Sequence, residues 1–148
     1  MTAHALTHHL DKRRPEPVEG LDAPLAPRDQ QAIGVLIERL ITQHGDHILH
    51  LTLFGSKARG DDTQESDIDV LVVTTNDTWP LRHRILRLGA RLSLEHDVLF
   101  NLYVIGSERW AWMRQVQHPL YRNIMTNGLD LTPEEGPAWE ELQPISVA

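Results

Sequence analysis

The sequence of 148 residues contains no cysteine, no long apolar run and no excess of positive charge. The lack of cysteine excludes disulfides, thiol nucleophiles and cysteine-based zinc sites, and it predicts a reducing, cytoplasmic location. A membrane-spanning helix needs roughly 18 or more consecutive apolar residues, so we expect no membrane association. The formal net charge of −7 argues against broad, sequence-independent nucleic-acid binding, which needs an electropositive surface.

What the chain does contain is enough apolar side chains, 41% of its residues, for one compact domain. Residues 1–27 combine several prolines with mixed charge and few large apolar side chains, so we expect a flexible leader. Residues 131–148 are rich in glutamate and proline, which is typical of a flexible acidic tail. The folded domain is therefore predicted to span residues 28–130.

Hydrophobic periodicity predicts helices and strands in alternation within this domain. Helical spacing or capping residues indicate helices at 28–44, after 78, at 108–117 and at 118–125. Apolar or alternating runs indicate strands at 48–54, 67–75 and 97–105. The pattern predicts an α+β fold with a short mixed sheet of three or more strands flanked by helices.

The most informative stretch joins the first two predicted strands. Gly55 leaves room for a phosphate to approach the backbone, and Ser56 offers a hydroxyl and an N–H group. Asp67 and Asp69 are two residues apart, so both side chains leave the same face of a strand. Paired carboxylates on a rigid element suit Mg²⁺, which completes its shell with water and substrate phosphates. This pattern favours phosphoryl or nucleotidyl transfer over an ordinary turn beside two exposed acids.

Gly55-Ser56, ten intervening residues and then Asp67-Ile68-Asp69 form a pattern that resembles the signature of the minimal nucleotidyltransferases. These belong to the DNA polymerase β-like superfamily, and the resemblance is to the kind paired with HEPN toxins. It covers the chain from Arg28 to about Asp130. The resemblance implies a polymerase β-like nucleotidyltransferase fold, a two-metal Mg²⁺ site, and transfer of a nucleoside monophosphate from ATP or another NTP.

In the family, Asp67 and Asp69 correspond to metal ligands, and the third strand carries a third catalytic carboxylate. Asp97, at the start of the predicted third strand, is our candidate for this metal-binding and catalytic position. The sequence downstream aligns the family position nearer to Leu99, so Asp97 reaches the metals only if the strand is bulged or shifted. Asn101, on the same face of the strand, is a neutral alternative ligand.

The resemblance further implies that nucleotide is held by Gly55, Ser56, Lys57, Arg59 and Ser66. Lys57 or Arg59 would neutralise the β- and γ-phosphates beside the departing pyrophosphate. The alternative interpretation is that both cations are solvated charges of a loop.

As for the acceptor, the resemblance implies transfer of AMP to a tyrosine of a separate HEPN-family chain, as in a type VII-like antitoxin. Two other functions remain open. The first is a non-catalytic antitoxin module that binds nucleotide or a partner, and the second is a small-molecule (antibiotic) nucleotidyltransferase. A homo-oligomer is compatible with the sequence and could supply a larger cleft for the latter.

A second charged feature lies on the helix predicted after residue 78. Arg84, Arg87 and Arg91 recur at i, i+3 and i+7, opposite an apolar stripe. This spacing fits either a contact face for phosphate, nucleic acid or an acidic protein, or a solvated charged face.

Overall fold

Helices and strands alternate in the computed structural model, which describes residues 25–60 and 66–133. The helices are α1 (Pro27–His44), α2 (Ser56–Arg59), α3 (Trp79–His96), α4 (Ser107–Gln115) and α5 (Pro119–Asn127). The strands are β1 (Ile48–Phe54), β2 (Ile68–Thr74), β3 (Phe100–Gly106) and β4 (Leu129–Asp130). The predicted α+β class is confirmed. The short elements α2 and β4 were not predicted, because they contain too few residues for a periodic pattern.

The sheet is mixed, with the strand order β3-β2-β1-β4. The pairs β1–β2 and β1–β4 are antiparallel, whereas β2 and β3 are parallel. A parallel pair needs a crossover, which α3 provides. In this register Asp69 lies between Phe54 of β1 and Asn101 of β3. The end of β1 and the starts of β2 and β3 therefore meet at one edge of the sheet.

Each face of the sheet packs on a different pair of helices. Ile68, Val70 and Val72 of β2 point to one face, where α1 and α3 complete the larger apolar core. Leu71 and Val73 point to the other face and pack with buried side chains of α4 and α5, including Trp110, Met113, Tyr121 and Ile124. Asp69 belongs to this second face by alternation, and it remains only half-buried. Asp69 thus lies at the border of the sheet surface on which α4 and α5 pack.

The two long helices have clear sequence signals at their ends. Pro27 occupies the first turn of α1, where a helix tolerates proline. Gly45 follows the last residue of α1. Helix α3 ends at His96 and is capped by Asp97. Asp97 adopts the left-handed conformation with φ 54° and donates its N–H to the Ser93 carbonyl. The third strand therefore begins at Phe100 rather than at Asp97, and that predicted boundary was wrong. Among residues 25–60 and 66–133, no helix is both long and apolar enough to cross a membrane.

Two described residues outside the predicted range 28–130 belong to the larger core. Leu25 is buried in the larger core, although it was assigned to the leader. Leu131, assigned to the tail, is also buried, and its N–H donates to the Leu51 carbonyl at 2.8 Å. The rest of the predicted leader and tail, residues 1–24 and 134–148, lies outside the described residues.

Candidate functional site

The turn at Gly55 brings the end of β1 directly against Asp69. Gly55 has φ 79° and ψ −159°, a conformation that is essentially restricted to glycine. A Cβ atom at this position would overlap Oδ2 of Asp69 and lie 3.2 Å from its Cγ. Glycine is therefore required both by the backbone conformation and by the close approach of the carboxylate.

Asp67 and Asp69 are both half-buried at this edge. Burial raises the pKa of Asp69, and the negative charge of Asp67 raises it further. A hydrogen bond from Asn101 and the positive charge of Arg59 act in the opposite direction. The two carboxylates are thus close enough to repel each other, and a bound cation would relieve this repulsion.

Asn101 occupies the position beside Asp69 on the neighbouring strand. Its Nδ2 donates to Oδ1 of Asp69 at 3.2 Å and to the Tyr103 hydroxyl oxygen, also at 3.2 Å. The β2–β3 register runs without a shift from Ile68 opposite Phe100 to Thr74 opposite Gly106. The bulge that would bring Asp97 into the site is therefore absent from this pairing.

Asp97 instead lies at the C-terminal cap of α3, with 94% of its side chain exposed. Its Oδ2 pairs with a guanidinium nitrogen of Arg28 at 3.4 Å. Leu99 directly precedes β3. Its carbonyl accepts a hydrogen bond from the Ile68 N–H at 2.8 Å, so the parallel register continues one residue further and places Leu99 beside Asp67. The structure thus brings Asp67, Asp69 and Asn101 together and leaves Asp97 outside this register. Within the described part of the chain, no group of three or more His, Cys, Asp or Glu side chains could hold a metal.

Among the predicted site residues, Lys57 has the environment that differs most from the one predicted. Its Nζ donates to Oδ2 of Asp29 at 2.7 Å, and the two side chains are only 1% and 3% exposed. A side chain buried in this way does not reach a phosphate, so the direct nucleotide contact predicted for Lys57 is not supported. Lys57 instead ties the turn after Gly55 to the first turn of α1.

Sequence reasoning missed Asp29, although a signal was available. Asp29 precedes Ile33 by four residues and Leu36 by seven, which places it on the apolar stripe of α1. An acid on a buried helix face requires a partner, because an unpaired buried charge is strongly destabilising. The search for that partner would have led to a lysine elsewhere in the predicted core.

The other predicted nucleotide-binding residues surround Asp69. Ser56 is half-buried and begins α2, whose first N–H groups have no carbonyl partner earlier in the helix. Arg59 is exposed at the end of α2, close enough to lower the pKa of Asp69. Ser66 is half-buried directly before Asp67. Their placement is compatible with a contact to a triphosphate.

We expect Gly55→Ala to lower the free energy of unfolding by about 1–3 kcal/mol, because alanine is strained in this backbone conformation. The overlap with Asp69 adds to that cost. Gly34→Ala is the matched control: no atom lies within 4 Å of the added Cβ, and alanine in a helix interior stabilises by about 0.5–1 kcal/mol. Urea unfolding of both variants measures the contrast. Equal stabilities for the two variants would contradict the assigned role of Gly55.

The central region that holds this site matches a known family. Residues 37–109, which include β1, β2 and β3, match the family described as Polymerase beta, Nucleotidyltransferase. The chain is 31% identical over 100 residues to Putative protein adenylyltransferase MJ0604 of Methanocaldococcus jannaschii, covering 68% of this chain and 94% of that protein. It is 39% identical over 57 residues to Putative protein adenylyltransferase MJ0141 of the same organism, covering 38% and 58% respectively.

The fold also matches a chain of a solved structure described as "Crystal structure of the toxin-antitoxin with AMP-PNP". The TM-score is 0.53 at 20% identity, and the match covers 78% of this chain and 79% of that chain. The predicted polymerase β-like fold is thereby confirmed. The family match, the identity to a relative covered almost end to end, and the shared fold show that this chain belongs to the polymerase β-like nucleotidyltransferase family.

Proposed function

We propose that this nucleotidyltransferase transfers AMP from ATP, with Mg²⁺, to a tyrosine hydroxyl of a separate HEPN-family toxin, and so acts as a type VII-like antitoxin. The observation that carries the proposal is the close approach of the Gly55 turn to the Asp69 carboxylate, at the edge of the sheet where β1 ends and β2 begins. The names of the two archaeal relatives support adenylyl transfer to a protein. The toxin–antitoxin neighbour with AMP-PNP agrees with an ATP substrate and a toxin partner.

The residues at this edge fit a magnesium ion. Asp67 and Asp69 offer carboxylate oxygens, and Asn101 adds an amide on the same face. Mg²⁺ prefers oxygen ligands and completes its shell with water and substrate phosphates, so two carboxylates are a sufficient protein contribution. When bound, the ion would neutralise charge on the phosphates and on the departing pyrophosphate.

The chain's own residues would position the triphosphate for attack. The absence of a side chain at Gly55 lets the phosphates approach the backbone, and the Ser56 hydroxyl and N–H donate to their oxygens. Arg59 would balance the negative charge that develops on pyrophosphate. The acceptor oxygen then attacks the α-phosphorus and loses its proton to solvent water, while the bond from the α-phosphorus to pyrophosphate breaks and pyrophosphate leaves.

A non-catalytic antitoxin is the second candidate, and one observation favours it. Leu99, directly before β3, and Asn101 within β3 stand where the family has a third carboxylate, so no acid of β3 is available to take the acceptor proton. Such a module would neutralise its partner by binding alone. The Asp67→Ala/Asp69→Ala variant separates the candidates, since only a binding module would neutralise the partner without these carboxylates.

The experiment that tests the proposal uses ATP labelled at either the α- or the γ-phosphorus. The full chain is incubated with Mg²⁺, labelled ATP and the candidate HEPN-family protein, and the proteins are separated by electrophoresis. We expect α-label, and not γ-label, on the partner. Transfer of γ-label would indicate phosphoryl transfer and overturn the proposal, as would partner neutralisation without any nucleotide.

Introducing an acid directly before the third strand is expected to accelerate the reaction. Leu99 is 56% exposed beside Asp67, so Leu99→Asp introduces a carboxylate at modest structural cost. General acid–base groups typically contribute about 10²–10⁴-fold, and we expect a rise in single-turnover rate of at least about tenfold. Leu99→Asn is the matched control, because asparagine has the shape of aspartate without its charge. Equal rates for the two variants would contradict the account of the third position.

A further inference from the structure

A polar cavity lies among the helices that cover the face of the sheet opposite to that of Asp69. It has a volume of about 320 Å³ and lies between the C-terminal end of α1 and the outer side of α3. The cavity is lined by Gln43, His44, Arg84, Arg87, Leu88 and Arg91. Helices α1 and α3 pack on the face of Ile68 and Val70, whereas Asp69 points to the other face. We refer to this cavity as the arginine groove, and it shares no residue with the candidate catalytic site.

Among the described residues that line it, the arginine groove offers hydrogen-bond donors and no carboxylate. Arg84, Arg87 and Arg91 contribute guanidinium groups, and Gln43 contributes a side-chain amide. Among residues 25–60 and 66–133, no carboxylate lies within 4 Å of these three guanidinium groups. Two other arginines of the domain do form ion pairs: Arg28 pairs with Asp97, and Arg82 pairs with Asp77 at 2.8 Å. The cavity shared with Gln43 and His44 of the neighbouring helix distinguishes these three arginines from a merely solvated helix face.

The environment of His44 agrees with a positive potential in the groove. The pKa of His44 is lowered, first by burial and then by the positive charges of Arg84 and His47. His44 is therefore predominantly neutral at pH 7, and its ring can donate one hydrogen bond without adding charge. An anion bound in the groove would be stabilised by this field.

We propose that the arginine groove binds a ligand that carries two or more linked phosphate groups, such as a nucleoside triphosphate or inorganic polyphosphate. Arg84 and Arg91 are seven residues apart on one helix, which corresponds to about 10 Å along its axis. Successive guanidinium groups at this spacing can each take a different phosphate, with the paired N–H donors that suit phosphate oxygens. The volume is at the lower end of the range for small-ligand pockets, about 300–1,000 Å³. This site would be separate from the nucleotide site at Asp69, and it does not depend on the proposed transfer reaction.

Titration calorimetry with tripolyphosphate in the presence of EDTA tests the proposal, since EDTA removes metal-assisted binding at the carboxylates. The test variant is Arg84→Gln/Arg87→Gln/Arg91→Gln, in which all three exposed side chains keep polarity but lose charge. We expect its Kd to rise at least about tenfold, and the loss of affinity on raising the salt concentration to become smaller than for the wild type. The single variant Arg87→Gln should show an intermediate loss of affinity. Circular dichroism of both variants serves as the control for folding.

The control variant is Arg109→Gln/Arg114→Gln/Arg122→Gln, which removes the same charge from α4 and α5. We expect its Kd to stay within about twofold of wild type, so an equal loss in both triple variants would show a net-charge effect and overturn the proposal. Repeating the titration with ATP and with adenosine identifies the source of the phosphates: ATP binding lost in the test variant indicates a nucleotide ligand. Binding of a single-stranded oligonucleotide without any binding of tripolyphosphate would overturn the proposal in favour of a nucleic-acid surface.

Discussion

Asp69→Asn is expected to lower nucleotidyl transfer by at least about 10²–10³-fold, a loss comparable to that of a principal transition-state stabilising group. The substitution keeps the shape of the side chain and removes one of the two charges at the sheet edge. Because Asn101 already contributes an amide beside Asp69, the variant would offer one carboxylate and two amides to a cation that prefers charged oxygen ligands. The measurement is the single-turnover rate of α-label transfer at saturating ATP and Mg²⁺.

Asp46→Asn provides the control for the loss of one negative charge. Asp46 is exposed in the turn before β1, at the end of that strand opposite Gly55. Its substitution should leave the transfer rate unchanged within about twofold. If Asp69→Asn kept more than about a tenth of the wild-type rate, the assignment of Asp69 as an essential metal ligand would be wrong.

Lys57→Met is expected to lower the free energy of unfolding by about 3–5 kcal/mol, the usual cost of breaking a buried ion pair by removing one partner. The methionine fills a similar volume, so the loss arises mainly from the carboxylate of Asp29, which stays buried without its cation. Such a cost is a large fraction of the stability of a typical domain, about 5–15 kcal/mol. Urea unfolding monitored by tryptophan fluorescence measures it.

The double variant Asp29→Leu/Lys57→Met tests whether the ion pair itself stabilises the fold, or whether only the removal of one partner destabilises it. Replacing a buried pair with apolar side chains of similar volume is often neutral or stabilising, so we expect most of the lost stability to return. The double variant should therefore be more stable than Lys57→Met alone by at least about 2 kcal/mol. A loss below about 1 kcal/mol for Lys57→Met would show that the pair contributes little.

The positions of the main elements could be predicted from local sequence patterns. The period of apolar residues in α1 and α3 and the apolar runs of β1 and β2 identify these elements, since each buries one face or both faces in the core. The close approach of Gly55 to Asp69 was also predictable in outline, because a strand, a glycine turn and a second strand bring the two positions together. The family resemblance was decisive for the type of chemistry.

The features that were not predicted depend on contacts between distant segments. Lys57 follows the Gly55-Ser56 turn and has the charge that a phosphate needs, but its burial depends on Asp29, which is 28 residues earlier. Asp97 was placed at the start of a strand because a period-two alternation of side chains begins at that point. Its position was decided by the end of α3, where a left-handed residue caps the helix three residues before β3 begins.

The register of β3 against β2 was similarly beyond sequence reasoning. The two strands are parallel and are connected through α3, so the packing of that helix sets which β3 residue lies beside Asp69. A shift of two residues would exchange Asn101 for Leu99 at this position on the same face. A shift of four residues would place Asp97 there instead, so whether Asp97 contributes a third carboxylate could not be decided before the strand pairing was known.

The most direct test of the central claim is mass spectrometry of the HEPN-family partner after incubation with ATP and Mg²⁺. Wild-type protein should add the mass of AMP to the partner, and fragmentation should locate it on a tyrosine. The Asp69→Asn variant should leave the partner unmodified under the same conditions. A partner that is neutralised equally by both proteins while its mass stays unchanged would contradict catalysis and establish neutralisation by binding.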